Sequence, residues 1–362
     1  MKLKYIPIIA GPTGTGKTKI SIELAKKING EIISADSMQI YKDMNIGTAK
    51  VKETEIFGIP HHMIDIIDPN ENYSAAEFAK EAESLIEDIL KRGKNPIIVG
   101  GTGLYINTLI YGIKHNNTFD ENLRNEMNKR AEASDEYLKM YEEAKKIDPE
   151  AMEKISFKDK KRVLRILEIY TITKKNKTQQ EKENRISESK RKYEFKIFSM
   201  KLDRPFQYEV INKRVDKMID EGLILENINI LNKYFAKEFL KENIFLPKKI
   251  DEIENQNEEK DKEKEIIKKQ NFLNLLKEKY TSLQAIGYKE VIEYILGITK
   301  FEEMLEILKR NTRRYSKRQI TWFKKNNPVW LDATGLHVLD KERLDEEVLK
   351  ILDKIILEIK YE

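Results

Sequence analysis

One loop constrains this chain more than any other feature. Gly11-Pro12-Thr13-Gly14-Thr15-Gly16-Lys17-Thr18 fits the phosphate-loop pattern G-x-x-x-x-G-K-[ST] in full, directly after the apolar run at residues 5–10 and ahead of a helical pattern at 17–28. Glycines at 11, 14 and 16 let the backbone curl until several N–H groups face one anion. The helix N-terminus adds partial positive charge and Lys17 a full one. Thr18 offers a hydroxyl of the kind that completes a magnesium shell. The loop therefore predicts a di- or triphosphate site built from Gly11, Pro12, Thr13, Gly14, Thr15, Gly16, Lys17 and Thr18, with Mg2+ as the cofactor and Thr18 as its ligand.

The pattern around the loop predicts an α/β fold. Residues 31–34 and 96–99 are short buried strands, and 62–67 reads as another. Residues 75–92 are helical, with Ser74 as N-cap. Such alternation implies a P-loop-type parallel sheet flanked by helices, with the ligand at the carboxyl ends of the strands. From 118 to 192 the chain turns charged, helical and strand-free, with helical spacing at 123–133, 137–147 and 158–171. Residues 193–202 then return to an apolar strand, and helices follow over 205–239 and 284–325. The expected division is 1–117 with 193–331 as the P-loop core and its C-terminal helices, 118–192 as a helical insertion, 244–270 as a charged surface insertion, and 332–362 as a tail. Fifteen of the twenty-two residues from 248 to 269 are charged, so that stretch is expected to bury no core.

Composition closes off several function classes. A chain of 362 residues, 40% hydrophobic and 36% charged, suits a soluble globular protein with one large core or two domains. No run of about eighteen apolar residues suggests a membrane span. The chain enters its first strand without a basic-then-apolar leader, so a cytoplasmic location is expected. There is no cysteine, which excludes disulfides, thiolate catalysis and cysteine-ligated zinc. His61, His62, His115 and His337 show no ligand spacing and read as structural. Net charge is +5, but residues 309–325 carry eight basic side chains and no acidic one, so the remainder is net negative. That segment is a plausible electrostatic footprint for nucleic acid.

The strand at 96–99 ends in Gly100-Gly101-Thr102, where a P-loop hydrolase carries a magnesium-holding Asp at a strand end. The loop thus cradles phosphate without the usual acid for nucleotide hydrolysis. Other segments are distinctive: Ser34-Ala35-Asp36-Ser37-Met38-Gln39-Ile40-Tyr41, Asn45-Ile46-Gly47-Thr48-Ala49-Lys50, Asp159-Lys160-Lys161-Arg162-Val163, Ala285-Ile286-Gly287-Tyr288-Lys289-Glu290, and Thr312-Arg313-Arg314-Tyr315-Ser316-Lys317-Arg318-Gln319. In this order, with the phosphate loop, they closely resemble the tRNA dimethylallyltransferases over most of residues 5–331.

The resemblance implies transfer of a dimethylallyl group from its diphosphate to the N6 amine of the adenosine beside the anticodon, at tRNA position 37. The products are N6-isopentenyladenosine and pyrophosphate. The expected partners are dimethylallyl diphosphate and the tRNA anticodon stem-loop; a monomer with no membrane attachment is expected. By this resemblance Lys17 and Thr18 serve the leaving diphosphate, Arg214 helps to hold it, and Asp36 is the general base. An N-cap or a magnesium outer-shell role is the other reading of Asp36, and a structural ion pair that of Arg214. The implied tRNA contacts are Asp36, Ser37, Met38, Gln39, Thr102, Arg124, Asp159, Lys160, Lys161, Arg162, Val163, Arg314 and Arg318; a solvated helix charge is the competing account of Arg124. Residues 281–290 are implied to lie near a base flipped out of its stack, within a channel entered from two ends. On the basic helix, Leu308, Thr312, Tyr315, Gln319 and Trp322 share a stripe expected to face the core, while Arg310, Arg314 and Arg318 share one able to track phosphates.

Three other readings start from the same loop. A P-loop small-molecule kinase leaves the insertion and the basic helix unexplained. An adenylate isopentenyltransferase has no use for the basic helix. A nucleic-acid-binding module with a vestigial loop does not account for the intact Lys17-Thr18 pair.

Overall fold

The apolar runs become a six-stranded, wholly parallel sheet. The computed structural model describes residues 3–111, 120–184, 192–255, 262–338 and 341–360. In chain order the main elements are β1 (Ile6–Ala10), α1 (Lys17–Ile28), β2 (Gly30–Ser34), β3 (His61–His62), α2 (Ala75–Lys91), β4 (Asn95–Gly100) and α3 (Gly103–Tyr111). Four helices follow: α4 (Glu121–Arg130), α5 (Ser134–Ile147), α6 (Lys160–Thr173) and α7 (Lys177–Asn184). Then come β5 (Phe195–Lys201), α8 (Arg204–Asp220), α9 (Leu223–Ile230), α10 (Lys262–Lys279), α11 (Lys289–Ile295), α12 (Phe301–Lys324), β6 (Val329–Asp332) and α13 (Lys341–Ile359). The chain divides into two compact units, Met1–Ile106 with Tyr193–Glu362, and Asn107–Lys192.

The strand order is β3-β2-β4-β1-β5-β6, with Ile8 of β1 in register with Ile98 of β4 and Ile197 of β5. Strands covered on both faces favour apolar residues throughout, as in β1; β2 is equally buried but carries Glu31 and Ser34, whose polar atoms are hydrogen-bonded. Ile9, Ile32, Ile97, Phe198 and Leu331 pack with Ile20, Leu24 and Ile28 of α1 on one face. Ile8, Ile33 and Ile98 alternate with them and are equally buried. α1 starts from Gly16 in the left-handed conformation and stops at left-handed Asn29, whose N–H caps the Ala25 carbonyl. α2 starts from a capping box in which Ser74 Oγ accepts from Glu77 N at 3.2 Å and Ser74 N donates to Glu77 Oε2 at 2.7 Å.

Three expectations change. The strand expected at 62–67 joins the sheet only at His61–His62, because Met63 and Asp65 adopt left-handed φ values of 64° and 55° that end the extended chain, and beyond them a single parallel bridge links Ile67 to Tyr41. Residues 332–362 are not a tail. β6 ends at Asp332 as the edge strand, and α13 buries Val348, Ile351, Leu352, Ile355 and Ile359 against α1 and the sheet. The charged stretch does contribute to a core, since Ile253 is only 1% exposed. Residues 256–261 of that stretch, His115 and the expected boundary at 117/118 lie outside the described residues.

The second unit is helical, and its core comprises Met127, Tyr137, Met140, Val163 and Ile166, among others. No helix among the described residues is long and apolar enough to cross a membrane.

Candidate active site

A cavity of about 760 Å³ opens at the carboxyl ends of the strands. Its lining carries five basic side chains, Lys17, Arg214, Lys217, Lys289 and Arg318, and a single carboxylate, Asp36. That imbalance suits a multiply charged anion.

The phosphate loop forms one end. Gly14 and Gly16 hold φ values of 79° and 81°, open to glycine at no steric cost, and Thr15 Oγ1 donates to the Pro12 carbonyl at 2.9 Å to close the turn. Lys17 Nζ donates to the same carbonyl at 2.7 Å. Burial, together with the neighbouring Arg214 charge, brings the Lys17 ammonium down to about 8, against a smaller opposing pull from Asp36. Arg214, on α8, makes no hydrogen bond or ion pair among the described residues. The structural ion pair weighed for it is therefore not realised. Desolvation also lowers its guanidinium, with Asp36 and Glu221 countering. Two desolvated cations side by side, neither bonded to a carboxylate among the described residues, are costly, and an anion between them offsets that cost.

Asp36 stands just past the end of β2. Its Oδ1 accepts from Met38 N at 2.9 Å, an Asx turn rather than a helix cap, so the N-cap reading falls. Its other oxygen has no hydrogen bond among the described residues. The Gly-Gly-Thr ending of β4 clamps this turn. Thr102 Oγ1 accepts from Ser37 N at 2.9 Å and meets Ser37 Oγ at 3.2 Å, and Thr102 N donates to the Ala35 carbonyl at 3.2 Å. A side chain on Gly100 would collide with the Ala35 backbone, one on Gly101 with Gln319, and one on Gly103 with the Trp322 ring. Gln319 ties both ends of the site together, donating to the Gly101 carbonyl at 3.0 Å and accepting from Thr13 N at 3.3 Å.

The stripe expected to face the core is in large part a cavity wall. Leu308, Thr312, Tyr315 and Gln319 line the cavity, and Trp322 packs against Gly103. Burial and nearby Asp36 push the Tyr315 hydroxyl up, against hydrogen bonds with Thr102 and Gln319. Lys289, within the stretch expected near the flipped base, lines the cavity, whereas sequence reasoning missed Tyr315 and Lys217 as lining residues and read His61 and His337, which also line it, as structural. Lys217 was findable, three residues after Arg214 on one helix face.

The remaining site residues divide. Ser37, Met38 and Gln39 line the cavity with Asp36. Arg310, Arg314 and Arg318 are all exposed on α12, and of these only Arg318 lines the cavity. Two other basic residues of that helix serve the fold: Lys309 pairs with Asp216 at 2.6 Å and Arg313 donates to Asn212 at 2.6 Å. In the helical unit, Arg124 pairs with buried Glu168 at 2.9 Å, giving it a structural role that neither reading of it included. Asp159 caps α6 by accepting from Arg162 N at 3.3 Å, and Lys160 donates to the Ala131 carbonyl at 2.9 Å. Lys161 and Arg162 are exposed. Val163 is fully buried in the unit's core and cannot touch RNA, which corrects its inclusion among the contacts.

An IPP transferase family model matches residues 39–326. The tRNA dimethylallyltransferase of Caldanaerobacter subterraneus subsp. tengcongensis is 42% identical, covering 88% of each chain, and that of Acetivibrio thermocellus is 40% identical, covering 95% of each. Solved structures agree. The tRNA isopentenylpyrophosphate transferase of Bacillus halodurans aligns with a TM-score of 0.60 at 35% identity, covering 97% of this chain and 95% of that one. A eukaryotic dimethylallyltransferase acting on tRNA aligns at 0.71 and 31% identity, covering 99% of this chain and 81% of that one. By sequence and by fold, this chain belongs to the IPP transferase family.

Proposed function

We infer that this chain transfers the dimethylallyl group of dimethylallyl diphosphate to N6 of the adenosine at tRNA position 37. The observation that carries the reading is the meeting in one cavity of Lys17 and Arg214, neither in an ion pair among the described residues, with a half-free carboxylate, Asp36. The cations suit a diphosphate that gains charge as it leaves. The carboxylate suits an amine that must lose a proton as it attacks. In the reaction the donor's C1–O bond breaks with its electron pair going to pyrophosphate, N6 bonds to C1, and the N6 proton passes to the free oxygen of Asp36. Loop N–H groups, Lys17 and Arg214 stabilise the departing charge, while the Thr102–Ser37 clamp holds Asp36 on line.

The residues present fit a magnesium ion. Among the described residues no cluster of three or more His, Asp or Glu could hold a metal, but the Thr18 hydroxyl lies at the cavity beside the loop. Mg2+ keeps most of its shell as water and phosphate oxygen, so one hydroxyl and the donor's diphosphate suffice. When bound, the ion neutralises leaving-group charge. The exposed Arg310, Arg314 and Arg318 face is offered to tRNA phosphates.

The test incubates the protein with dimethylallyl diphosphate, Mg2+ and unmodified tRNA, followed by nuclease digestion and mass spectrometry. Isopentenyladenosine at position 37 is expected. Product with AMP but not tRNA, or phosphate transfer from ATP, overturns the reading.

A further inference from the structure

Glu226 lies outside every segment so far connected with the chemistry, yet its carboxylate accepts four hydrogen bonds. It accepts from Asn45 N at 2.9 Å, Ile46 N at 2.7 Å, Gly47 N at 3.1 Å and Tyr288 Oη at 2.6 Å. Three consecutive backbone amides thus converge on one side chain presented by α9. Gly47 permits this approach, because a Cβ there would run into the Tyr288 ring. The next residues, Gly47, Thr48 and Ala49, form cavity wall. The Thr48 carbonyl accepts from Gln39 Nε2 at 3.3 Å, and Gln39 Oε1 accepts from Ser34 Oγ at 3.0 Å. A bonded chain therefore runs from Glu226 through the loop to the turn that carries Asp36. After α9 the chain winds as a π-turn, Leu231–Phe235, from which Lys233 Nζ and Tyr234 Oη each reach Asp43 Oδ2 at 2.6 Å. The loop is pinned at both points from one helical segment. The diphosphate end is braced separately, by Gln319 and the β4 ending.

We propose that Glu226, with Tyr288, is a positioning residue for the transfer step: it sets the Asn45–Ala49 wall and, through Gln39, the aim of Asp36, without contributing to donor binding. A charge-assisted set of four hydrogen bonds holds such a wall to a fraction of an ångström, and small misplacements of reacting groups lower rates steeply. The proposal rests on the prenyl-transfer reading above.

The experiment measures single-turnover transfer to tRNA and the donor Kd on wild type, Glu226→Gln, Tyr288→Phe and Gly47→Ala. An amide at 226 opposes N–H donors with its own NH2 group, and the methyl at 47 displaces the loop by running into the Tyr288 ring. Turnover about 10- to 100-fold lower in Glu226→Gln and Gly47→Ala, less so in Tyr288→Phe, with donor Kd within twofold of wild type, supports the proposal. Wild-type turnover in all three variants overturns it, as does a donor Kd that rises in step with the loss of rate. If Glu226→Gln does not fold, Tyr288→Phe carries the same two readouts. A wild-type chain that makes no isopentenyladenosine removes the reading itself and not this inference alone.

Discussion

Two carboxylates, five residues apart along β2 and its exit, have opposite surroundings. Glu31, near the start of the strand, is 2% exposed and bonds Arg92 through both Nη atoms, Lys94 at 2.7 Å and His62 at 2.8 Å. The Arg92 bonds above all, aided by Lys94 and His62, hold its carboxyl far below the usual carboxylate range, overcoming desolvation. Asp36, just beyond the other end, has one backbone N–H and two cations close by that it does not bond. One end of the sheet spends its charges on one another, and the other keeps them available. This is the polarity expected of open α/β sheets, in which ligands collect beyond the carboxyl ends of the strands.

Exchanging the roles of the two acids gives the largest contrast. Asp36→Ala should lower turnover by roughly 10²–10⁴-fold and leave the melting temperature nearly unchanged. Glu31→Ala should do the reverse, destabilising by about 2–3 kcal/mol in urea titration with activity per folded molecule retained. That is below the figure for a fully buried pair, because Arg92 and Lys94 stay 39% and 34% exposed and keep water. Next, Arg214→Gln should raise the donor Kd about 10- to 100-fold while the melting temperature holds or rises, since it removes a desolvated charge that Asp36 and Glu221 offset only in part and that no described residue bonds. A fall in stability would mean that Arg214 has a partner in the fold after all. A smaller effect concerns pH. Lys17 is charged below its value of about 8 in the free protein and loses that charge above it, so donor affinity should weaken as pH rises through about 8. In Lys17→Arg, calorimetry should find that inflection gone. The smallest effect is expected in the helical unit. There Arg124→Ala leaves Glu168 with Arg165 at 2.7 Å and should cost up to about 1 kcal/mol by thermal unfolding.

Local chemistry was legible in the sequence. The phosphate loop, the bounds of α1 and the Ser74 cap follow from glycine placement, apolar spacing and one hydroxyl, all short-range signals. The missing acid at the end of β4 was visible as well. The steric reason for Gly100, Gly101 and Gly103 was not, because the atoms they admit belong to Ala35, Gln319 and Trp322, the last two more than two hundred residues away. The α12 stripe shows the same limit. Helical spacing shows that Thr312, Tyr315 and Gln319 share a side but not whether that side meets protein or a cavity. α13 was readable and missed: Val348, Ile351, Leu352, Ile355 and Ile359 follow helical spacing and complete the face that covers α1. Glu226 carried no signal at all, since a glutamate on a helix gives no hint of three amides presented by a loop 179–181 residues earlier.

The central claim is that Asp36 takes a proton while Lys17 and Arg214 hold the donor. It is tested most directly by Asp36→Asn, whose amide oxygen can still accept from Met38 N but whose side chain cannot act as a base. Single-turnover transfer from saturating dimethylallyl diphosphate to tRNA should fall by at least two orders of magnitude, with donor and tRNA Kd values within about twofold of wild type. A rate near wild type, or a loss of rate matched by loss of donor affinity, contradicts the account.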